Sequence, residues 1–250
     1  MARRIVIIGS GAAGLTAASA ARKKDKDARI TVITEDEHIA YSPCAIPWVL
    51  EGVSEWKDII MHDPAFYKKE RDIDVLIGTR AESVDGAAKK VIAGGKEYIY
   101  DSLVIATGGT VFVPPVPGKD LKNVFVVRTI RDGMAIEKAM KDSESAVICG
   151  AGVIGLEMAV AMRNMGLKVT VIEMMGQVIP RIADPDMAAP VQKHLEDRGV
   201  RFVLNAPVQG VNGTDKVEGV TAAGKDYECD MVVFATGVRA NLEIPRMLGL

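Results

Sequence analysis

Cysteine, aromatic residues and unbalanced charge are all scarce in this 250-residue sequence. Its three cysteines include no C-x-x-C pair and are too few for a disulfide framework or a structural zinc site, so we expect no metal and a reducing, cytoplasmic environment. The 31 basic and 33 acidic residues give a net charge of -2, without the clustered basic residues of a nucleic-acid binder. Aromatic residues make up only 5% of the chain against 24 glycines, which favours an α/β fold with tight turns.

Long hydrophobic runs are also missing. The apolar stretch that follows Arg3 and Arg4 extends only from Ile5 to Ile8 before a glycine loop begins. This run is far too short for a signal peptide or a membrane span, so we expect no targeting segment and no membrane contact. With 48% hydrophobic and 26% charged residues, the composition is that of an ordinary globular protein with enough material for a core.

The most informative feature that the sequence does contain is an internal repeat. Its first copy begins with a short apolar strand that leads into a glycine loop at residues 9–14. A helical stretch follows to about Lys24, and then a second strand, residues 30–34, ends at Glu35. This copy closes on a strand followed by Ala-Thr-Gly at residues 106–108.

The second copy repeats each of these parts in the same order. It has a glycine loop at residues 150–155, a helix to about Met165, a strand at residues 168–172 that ends at Glu173, and a closing Ala-Thr-Gly at 235–237. Two such copies predict an α/β fold of two Rossmann-like, three-layer units. Stretches rich in β-forming residues, roughly 80–100 and 208–229, predict an antiparallel excursion in each unit, and the proline-rich segment 113–118 predicts an extended connector.

Each loop has the G-x-G-x-x-G pattern between a strand and a helix, with an acidic residue 21 or 18 positions after its last glycine. This context predicts a dinucleotide site whose pyrophosphate lies at the helix N-terminus and whose ribose hydroxyls bind the carboxylate, Glu35 or Glu173. Because Glu173 would repel a 2'-phosphate, the second site should prefer NADH, with NADPH as the alternative. The predicted loop contacts are Gly9, Gly11, Ala12, Ala13 and Gly14 in the first copy and Gly150, Gly152, Val153, Ile154 and Gly155 in the second.

The order of these motifs, with a cysteine segment at residues 40–48 after the first loop, resembles the FAD-dependent pyridine nucleotide-disulfide oxidoreductases. That family includes disulfide reductases, NADH oxidases and NADH peroxidases. The resemblance implies an FAD-binding domain at residues 1–113, with a return segment at 238–250, and an NAD(P)H-binding domain at 114–237. Family members usually continue into a Gly-Asp motif and a dimerisation domain that builds a homodimer, and we expect neither in this chain.

The cysteine segment resembles that of the single-cysteine branch, typified by coenzyme A disulfide reductases and NADH oxidases. Members with a dithiol carry a second cysteine where this sequence has Val49, so the resemblance implies that Cys44 acts alone as the catalytic thiol. We expect Cys44 in the first turn of a short helix, which would stabilise its thiolate, with a small buried hydrophobe as the alternative. We expect Cys149 and Cys229 to be buried structural residues. The first loop lacks the histidine that peroxidases and water-forming oxidases of the family usually place there. This absence argues against both of those activities.

Further site residues are implied by the resemblance alone. On the first helix, Thr16, Ala20 and Lys23 share one face, which would border a coenzyme A channel with Lys23 near a phosphate. The alternative, which is at least as well supported, is that residues 22–24 are a solvated charge cluster at the C-terminal end of the helix. Glu157 would lie near the nicotinamide or simply on a helix surface. The remaining implied cofactor contacts are Ser42, Ala81, Thr107, Gly108, Arg128 and Gly237.

These residues support two functional hypotheses. The first is an FAD-dependent NAD(P)H oxidoreductase that passes hydride from NADH through the flavin to Cys44 and reduces a coenzyme A disulfide, a persulfide or oxygen. The second is a non-catalytic dinucleotide-binding fragment or subunit that needs another chain to complete its FAD site.

Overall fold

The computed structural model describes residues 2–250, which divide into two compact units. The first unit consists of the chain up to Ser42, residues 57–110 and residues 240–250. The second consists of residues 43–56 and residues 111–239. Within the described residues, no helix combines the length and the hydrophobicity that crossing a membrane would require.

A parallel sheet forms the centre of the first unit. Its strands are β1 (Arg4–Ile8), β2 (Arg29–Ile33), β3 (Ile73–Leu76) and β7 (Ser102–Ile105), in the order β3-β2-β1-β7. The helices of this unit are α1 (Ala12–Lys24), α3 (Pro64–Arg71) and α7 (Glu243–Met247). An antiparallel sheet is formed by β4 (Ala81–Asp85), β5 (Lys90–Ala93) and β6 (Lys96–Ile99).

Both faces of the parallel sheet are covered, as its nearly continuous apolar strands require. Alternate residues of β1 serve opposite faces: Ile7 belongs to a core cluster with Leu15 of α1 and Tyr67 of α3, whereas Ile8 belongs to one with Val91 of the antiparallel sheet. The unit therefore has three layers, with α1 and α3 on one side of the parallel sheet and the antiparallel excursion, together with α7, on the other.

The second unit repeats this architecture. Its parallel sheet contains β9 (Val124–Val126), β10 (Ser145–Cys149), β11 (Lys168–Ile172), β12 (Arg201–Val203) and β16 (Met231–Phe234), in the order β12-β11-β10-β16-β9. Its antiparallel sheet contains β13 (Val208–Asn212), β14 (Gly219–Ala222) and β15 (Lys225–Glu228), and its helices are α2 (Ile46–Leu50), α4 (Ile130–Met140), α5 (Val153–Asn164) and α6 (Pro185–Asp197). Two short strands, β8 (Gly109–Val111) and β17 (Val238–Ala240), lie where the chain passes from one unit to the other.

The predicted α/β fold of two Rossmann-like, three-layer units is confirmed, including both antiparallel excursions. One segment lies where the sequence does not place it. Residues 43–56 pack with the second unit, although the resemblance implies a first domain of residues 1–113. The indole N–H of Trp56 donates to Glu137 at 2.9 Å, and the amide of Asn164 donates to Glu51 at 2.8 Å. These side-chain contacts, together with the packing of Trp56 over Gly133 of α4, attach residues 43–56 to the second unit.

We predict that Gly133→Ala destabilises the protein by about 1–3 kcal/mol, the usual cost of overpacking. A Cβ at Gly133 would lie under 3.0 Å from the Trp56 ring and 3.0 Å from Ile46. The sign of the effect is diagnostic because alanine in an open helix position would stabilise by about 1 kcal/mol. Urea unfolding followed by circular dichroism measures the change.

The neighbouring change Met134→Ala, on the exposed side of the same helix, is the control and should shift stability by less than about 0.5 kcal/mol. In a Trp56→Ala background, Gly133→Ala should become neutral or stabilising. A loss of stability that persists in that background would contradict the proposed contact.

Candidate functional site

Each unit has a glycine loop between its first parallel strand and the helix that follows. α1 begins at Ala12 and α5 at Val153, and their N-caps, Gly11 and Gly152, form no side-chain hydrogen bond. The first N–H groups of a helix have no partner inside the helix, and they carry the positive end of its dipole. Both loops therefore present an uncapped helix N-terminus, the arrangement that binds the pyrophosphate of a dinucleotide.

The first glycine of each loop is required by the backbone conformation. Gly9 and Gly150 have φ angles of +109° and +113°, a region that side chains rarely adopt. A Cβ on either residue would also lie under 3.0 Å from a backbone oxygen, that of Ala106 or of Ala235. The loop can therefore pass close to the Ala-Thr-Gly strand end only when this position is glycine.

The second and third glycines have different roles. A Cβ on Gly14 or Gly155 would lie under 3.0 Å from the carbonyl oxygen of the first glycine of the same loop, so the helix approaches the loop only without a side chain there. A Cβ on Gly11 or Gly152 would meet no atom within 4 Å. The second glycine thus leaves a cradle in front of the helix N-terminus that a side chain would fill, and this cradle fits a bound pyrophosphate.

The two predicted ribose carboxylates do not occupy equivalent positions. The N–H of Thr34 donates to Leu76 O at 3.0 Å, and the N–H of Glu173 donates to Val203 O at 2.9 Å. These bonds link the second and third strands at the same point of each unit, so Thr34 is the counterpart of Glu173. Glu35 lies one residue further along, where its side chain is exposed and pairs with Arg80.

The surroundings of the two carboxylates differ accordingly. Glu173 is only 7% exposed, and its carboxylate accepts hydrogen bonds from the N–H groups of Ala151 and Met175, both at 2.8 Å. The side chain of Glu35 is 62% exposed and accepts a hydrogen bond from the guanidinium of Arg80 at 2.8 Å. Glu173 therefore links the end of β11 to the glycine loop of its unit through a hydrogen bond, whereas Glu35 forms a surface ion pair.

Both Ala-Thr-Gly turns are held by the threonine hydroxyl. In the first unit, Thr107 Oγ1 donates to Asn241 O at 3.0 Å, and the Asn241 amide donates back to Thr107 O at 2.8 Å. In the second unit, Thr236 Oγ1 donates to Phe112 O. The repeated motifs include Thr107 but not Asn241, because Asn241 lies outside both repeats and no pattern in the sequence marks it.

Cys44 is exposed, and it lies in the 3₁₀ turn Pro43–Ala45 that leads directly into α2. The two other cysteines are buried. Burial raises the pKa of the Cys149 thiol strongly and raises the pKa of Cys229 to about 12, so neither forms a thiolate near neutral pH. Cys44 is thus the single solvent-accessible thiol among the described residues.

The face of α1 that carries Thr16, Ala20 and Lys23 is exposed, as its spacing predicts. The neighbouring Arg22 has another role, since its guanidinium donates to the carbonyl oxygens of Asp72 at 2.8 Å and Arg71 at 3.0 Å. Arg22 therefore caps the C-terminal end of α3, and the cluster at the end of α1 is only in part a solvated set of charges.

The remaining predicted contacts lie at the surface or partly buried. The exposed ones are Ala12, Ala13, Gly108, Arg128, Val153, Ile154, Glu157 and Gly237, and the half-buried ones are Ser42 and Ala81. Among the described residues, no three His, Cys, Asp or Glu side chains are grouped so as to hold a metal ion.

The fold and both loops match a known family. The model for the family described as pyridine nucleotide-disulphide oxidoreductase matches residues 3–250. The chain belongs to this family.

Similar members of the pyridine nucleotide-disulphide oxidoreductase family are known from archaea. The NADH oxidase of Methanocaldococcus jannaschii is 50% identical over 98% of this chain and 57% of that protein. The CoA-dependent NAD(P)H sulfur oxidoreductase of Pyrococcus abyssi is 34% identical over 99% of this chain and 56% of that protein. The structure of an NAD-dependent persulfide reductase from A. fulgidus superposes with a TM-score of 0.96 at 38% identity, over 99% of this chain and 48% of that one. The chain spans about half the length of these relatives.

We predict that Gly155→Ala and Gly152→Ala, three residues apart in one loop, have opposite consequences. Gly155→Ala drives a methyl group into backbone and should destabilise the protein by at least about 2 kcal/mol. Gly152→Ala places its methyl group in open space and should cost less than about 1 kcal/mol, the usual effect of alanine at an N-cap. It should nevertheless weaken NADH binding at least tenfold, because the methyl group fills the cradle.

Thermal unfolding and fluorescence titration with NADH separate the two effects. Gly14→Ala and Gly11→Ala provide the same comparison in the first unit. Equal stability losses for the two variants of one loop would contradict the roles assigned here.

Proposed function

We propose that the protein is a flavin-dependent NAD(P)H oxidoreductase in which the two electrons of the NADH hydride pass by way of FAD to a mixed disulfide on Cys44, so that a disulfide or persulfide of coenzyme A is reduced. The observation that carries this proposal is the pair of uncapped helix N-termini, each preceded by an open glycine cradle, in a chain with one exposed thiol. The names of the archaeal relatives support the same reaction class.

The first unit holds FAD and the second holds NADH in this proposal. FAD supplies a two-electron relay between the nicotinamide and the thiol. The chain contributes the two helix N-termini for the pyrophosphates, with the residues of each glycine loop as backbone contacts. Thr107, Gly108 and Gly237 lie at strand ends beside these loops, and Ser42, Ala81, Arg128 and Glu157 complete the proposed cofactor contacts.

Cys44 is the proposed catalytic residue. Its thiolate attacks one sulfur of the substrate S–S bond, a mixed disulfide forms on Cys44, and the other half of the substrate leaves as a thiolate. Two electrons, which come from NADH by way of FAD, then break the S–S bond of the mixed disulfide. Cys44 returns to its thiolate, and the second half of the substrate takes up one proton and leaves as a thiol. Exposure makes the sulfur accessible for this attack, and Thr16 and Lys23 on the exposed face of α1 offer a hydroxyl and a cation for the carrier's phosphates.

The second unit prefers NADH over NADPH in this proposal. Glu173 is buried, and hydrogen bonds from the N–H groups of Ala151 and Met175 fix the position of its carboxylate. A fixed negative charge at the end of β11 accepts hydrogen bonds from ribose hydroxyls and repels a 2'-phosphate.

Oxygen is a second candidate acceptor, since the relative that is 50% identical is named an NADH oxidase. We further propose a cytoplasmic location, in keeping with three free cysteines.

The visible spectrum of the purified chain tests the proposal. We expect flavin absorption bands after incubation with FAD, and we expect NADH to bleach them under anaerobic conditions. A chain that binds NADH but cannot be loaded with FAD would instead support a dinucleotide-binding fragment or subunit that needs another polypeptide.

We predict that Cys44→Ser lowers disulfide reductase turnover by at least about a thousandfold, because serine has no sulfur with which to form the mixed disulfide. Flavin bleaching by NADH should remain, since it does not involve the thiol. The matched control Cys229→Ser replaces a buried cysteine and should keep the turnover of any folded protein. Turnover of a coenzyme A disulfide by the Cys44→Ser variant would exclude the thiol route, and loss of turnover with oxygen uptake unchanged would identify oxygen as a separate acceptor.

A further inference from the structure

The two units differ in the side chains that link the glycine loop to the end of the second strand by hydrogen bonds. In the second unit, the carboxylate of Glu173 accepts from the N–H of Ala151 inside the loop. In the first unit, Ser10 stands at the place of Ala151, and Ser10 Oγ donates to Thr34 Oγ1 at 2.9 Å. The gap that one carboxylate spans in the second unit is thus spanned by two hydroxyl groups in the first.

Burial supports the equivalence of Thr34 and Glu173. Thr34 is 6% exposed and Glu173 is 7% exposed, whereas the next residues, Glu35 and Met174, are both exposed. The loop also donates a hydrogen bond to the first residue of each pair, from Ser10 to Thr34 and from Ala151 to Glu173. The position at which Glu173 would meet a ribose is therefore occupied by a neutral side chain in the first unit.

Glu35 is held away from the loop by an ion-pair network. Arg80 donates one guanidinium nitrogen to Glu35 at 2.8 Å and another to Glu243 at 2.6 Å. This network joins the end of β2 to α7, whose Ile244 is buried in the core cluster that β1 and the antiparallel sheet share. Glu35 thus has a structural partner on its own side of the strand.

We infer that the first unit contacts the adenosine ribose of FAD through the neutral hydroxyl pair of Ser10 and Thr34, and that Glu35 is an ion-pair residue rather than a cofactor ligand. The inference rests on the proposed function, since it names the group that recognises the ribose in the FAD site. Thr34 Oγ1 already accepts from Ser10 and from the N–H of Asp36 at 3.3 Å. A hydroxyl has one proton to donate, so the O–H of Thr34 is the group offered to a ribose oxygen.

Titration of the full chain with FAD and with FMN tests the inference, because FMN lacks the adenosine ribose. We expect Thr34→Val to weaken FAD binding about fivefold, the size of one hydrogen bond, and to leave FMN binding unchanged. Glu35→Gln should change the Kd of FAD less than about twofold. The double variant Ser10→Ala with Thr34→Glu copies the arrangement of the second unit and should bind FAD more tightly than the wild type.

The binding of NADH in the same samples shows that each variant is folded, and Glu173→Gln, which should weaken NADH but not FAD, is the matched control in the second unit. A tenfold loss of FAD affinity in Glu35→Gln with none in Thr34→Val would overturn the inference and leave the proposed function intact. Equal losses for FAD and FMN in Thr34→Val would overturn it as well, since a general disturbance of the loop does not distinguish the two flavins. A wild-type chain that binds no FAD would overturn the proposed function and this inference together.

Discussion

The contact on which each unit depends is the close approach of a helix backbone to the carbonyl of a glycine loop. Gly14 and Gly155 stand where a Cβ would collide with the oxygen of Gly9 or Gly150. This approach sets the helix directly behind the loop, with its first N–H groups directed out of the loop and the second glycine leaving the space in front of them open. The binding geometry therefore follows from packing: the same missing side chains that let strand and helix meet also leave a helix N-terminus uncapped.

The order of strands around this contact follows from the same physical rules. β1 and β10 are short runs of apolar residues that can be buried on both faces, and each is flanked by two parallel neighbours. Because parallel strands leave the sheet at the same edge, the glycine loop, the end of the second strand and the Ala-Thr-Gly turn come together there. Threonine hydroxyls then tie each Ala-Thr-Gly turn to backbone carbonyl groups of its own unit.

The sequence was sufficient for the repeat, the strands, the first helices and both antiparallel sheets, since all of these depend on local pattern. It was insufficient where a shift of one residue decides which side chains of the two units are equivalent. Counting from the last glycine placed Glu35 and Glu173 as counterparts, but the loops are separated from the second strands by helices and turns of unequal length. Counting from the strand itself, where Arg29–Ile33 matches Lys168–Ile172, pairs Glu173 with Thr34. The attachment of residues 43–56 to the second unit was likewise hidden, because it depends on the packing of Trp56 over Gly133 and on no local motif.

The asymmetry at the strand ends has a physical consequence for each site. A carboxylate that is 7% exposed carries a large desolvation cost unless hydrogen bonds compensate it, and Glu173 receives two from backbone N–H groups of its own unit. Both hydrogen bonds come from the chain itself, so the position of this carboxylate does not depend on a bound nucleotide. Ser10 and Thr34 satisfy each other at the corresponding position and place no charge in the interior. The two strand ends therefore differ in charge at equivalent positions, and a neutral pair has a smaller desolvation cost than a carboxylate when a ligand covers it.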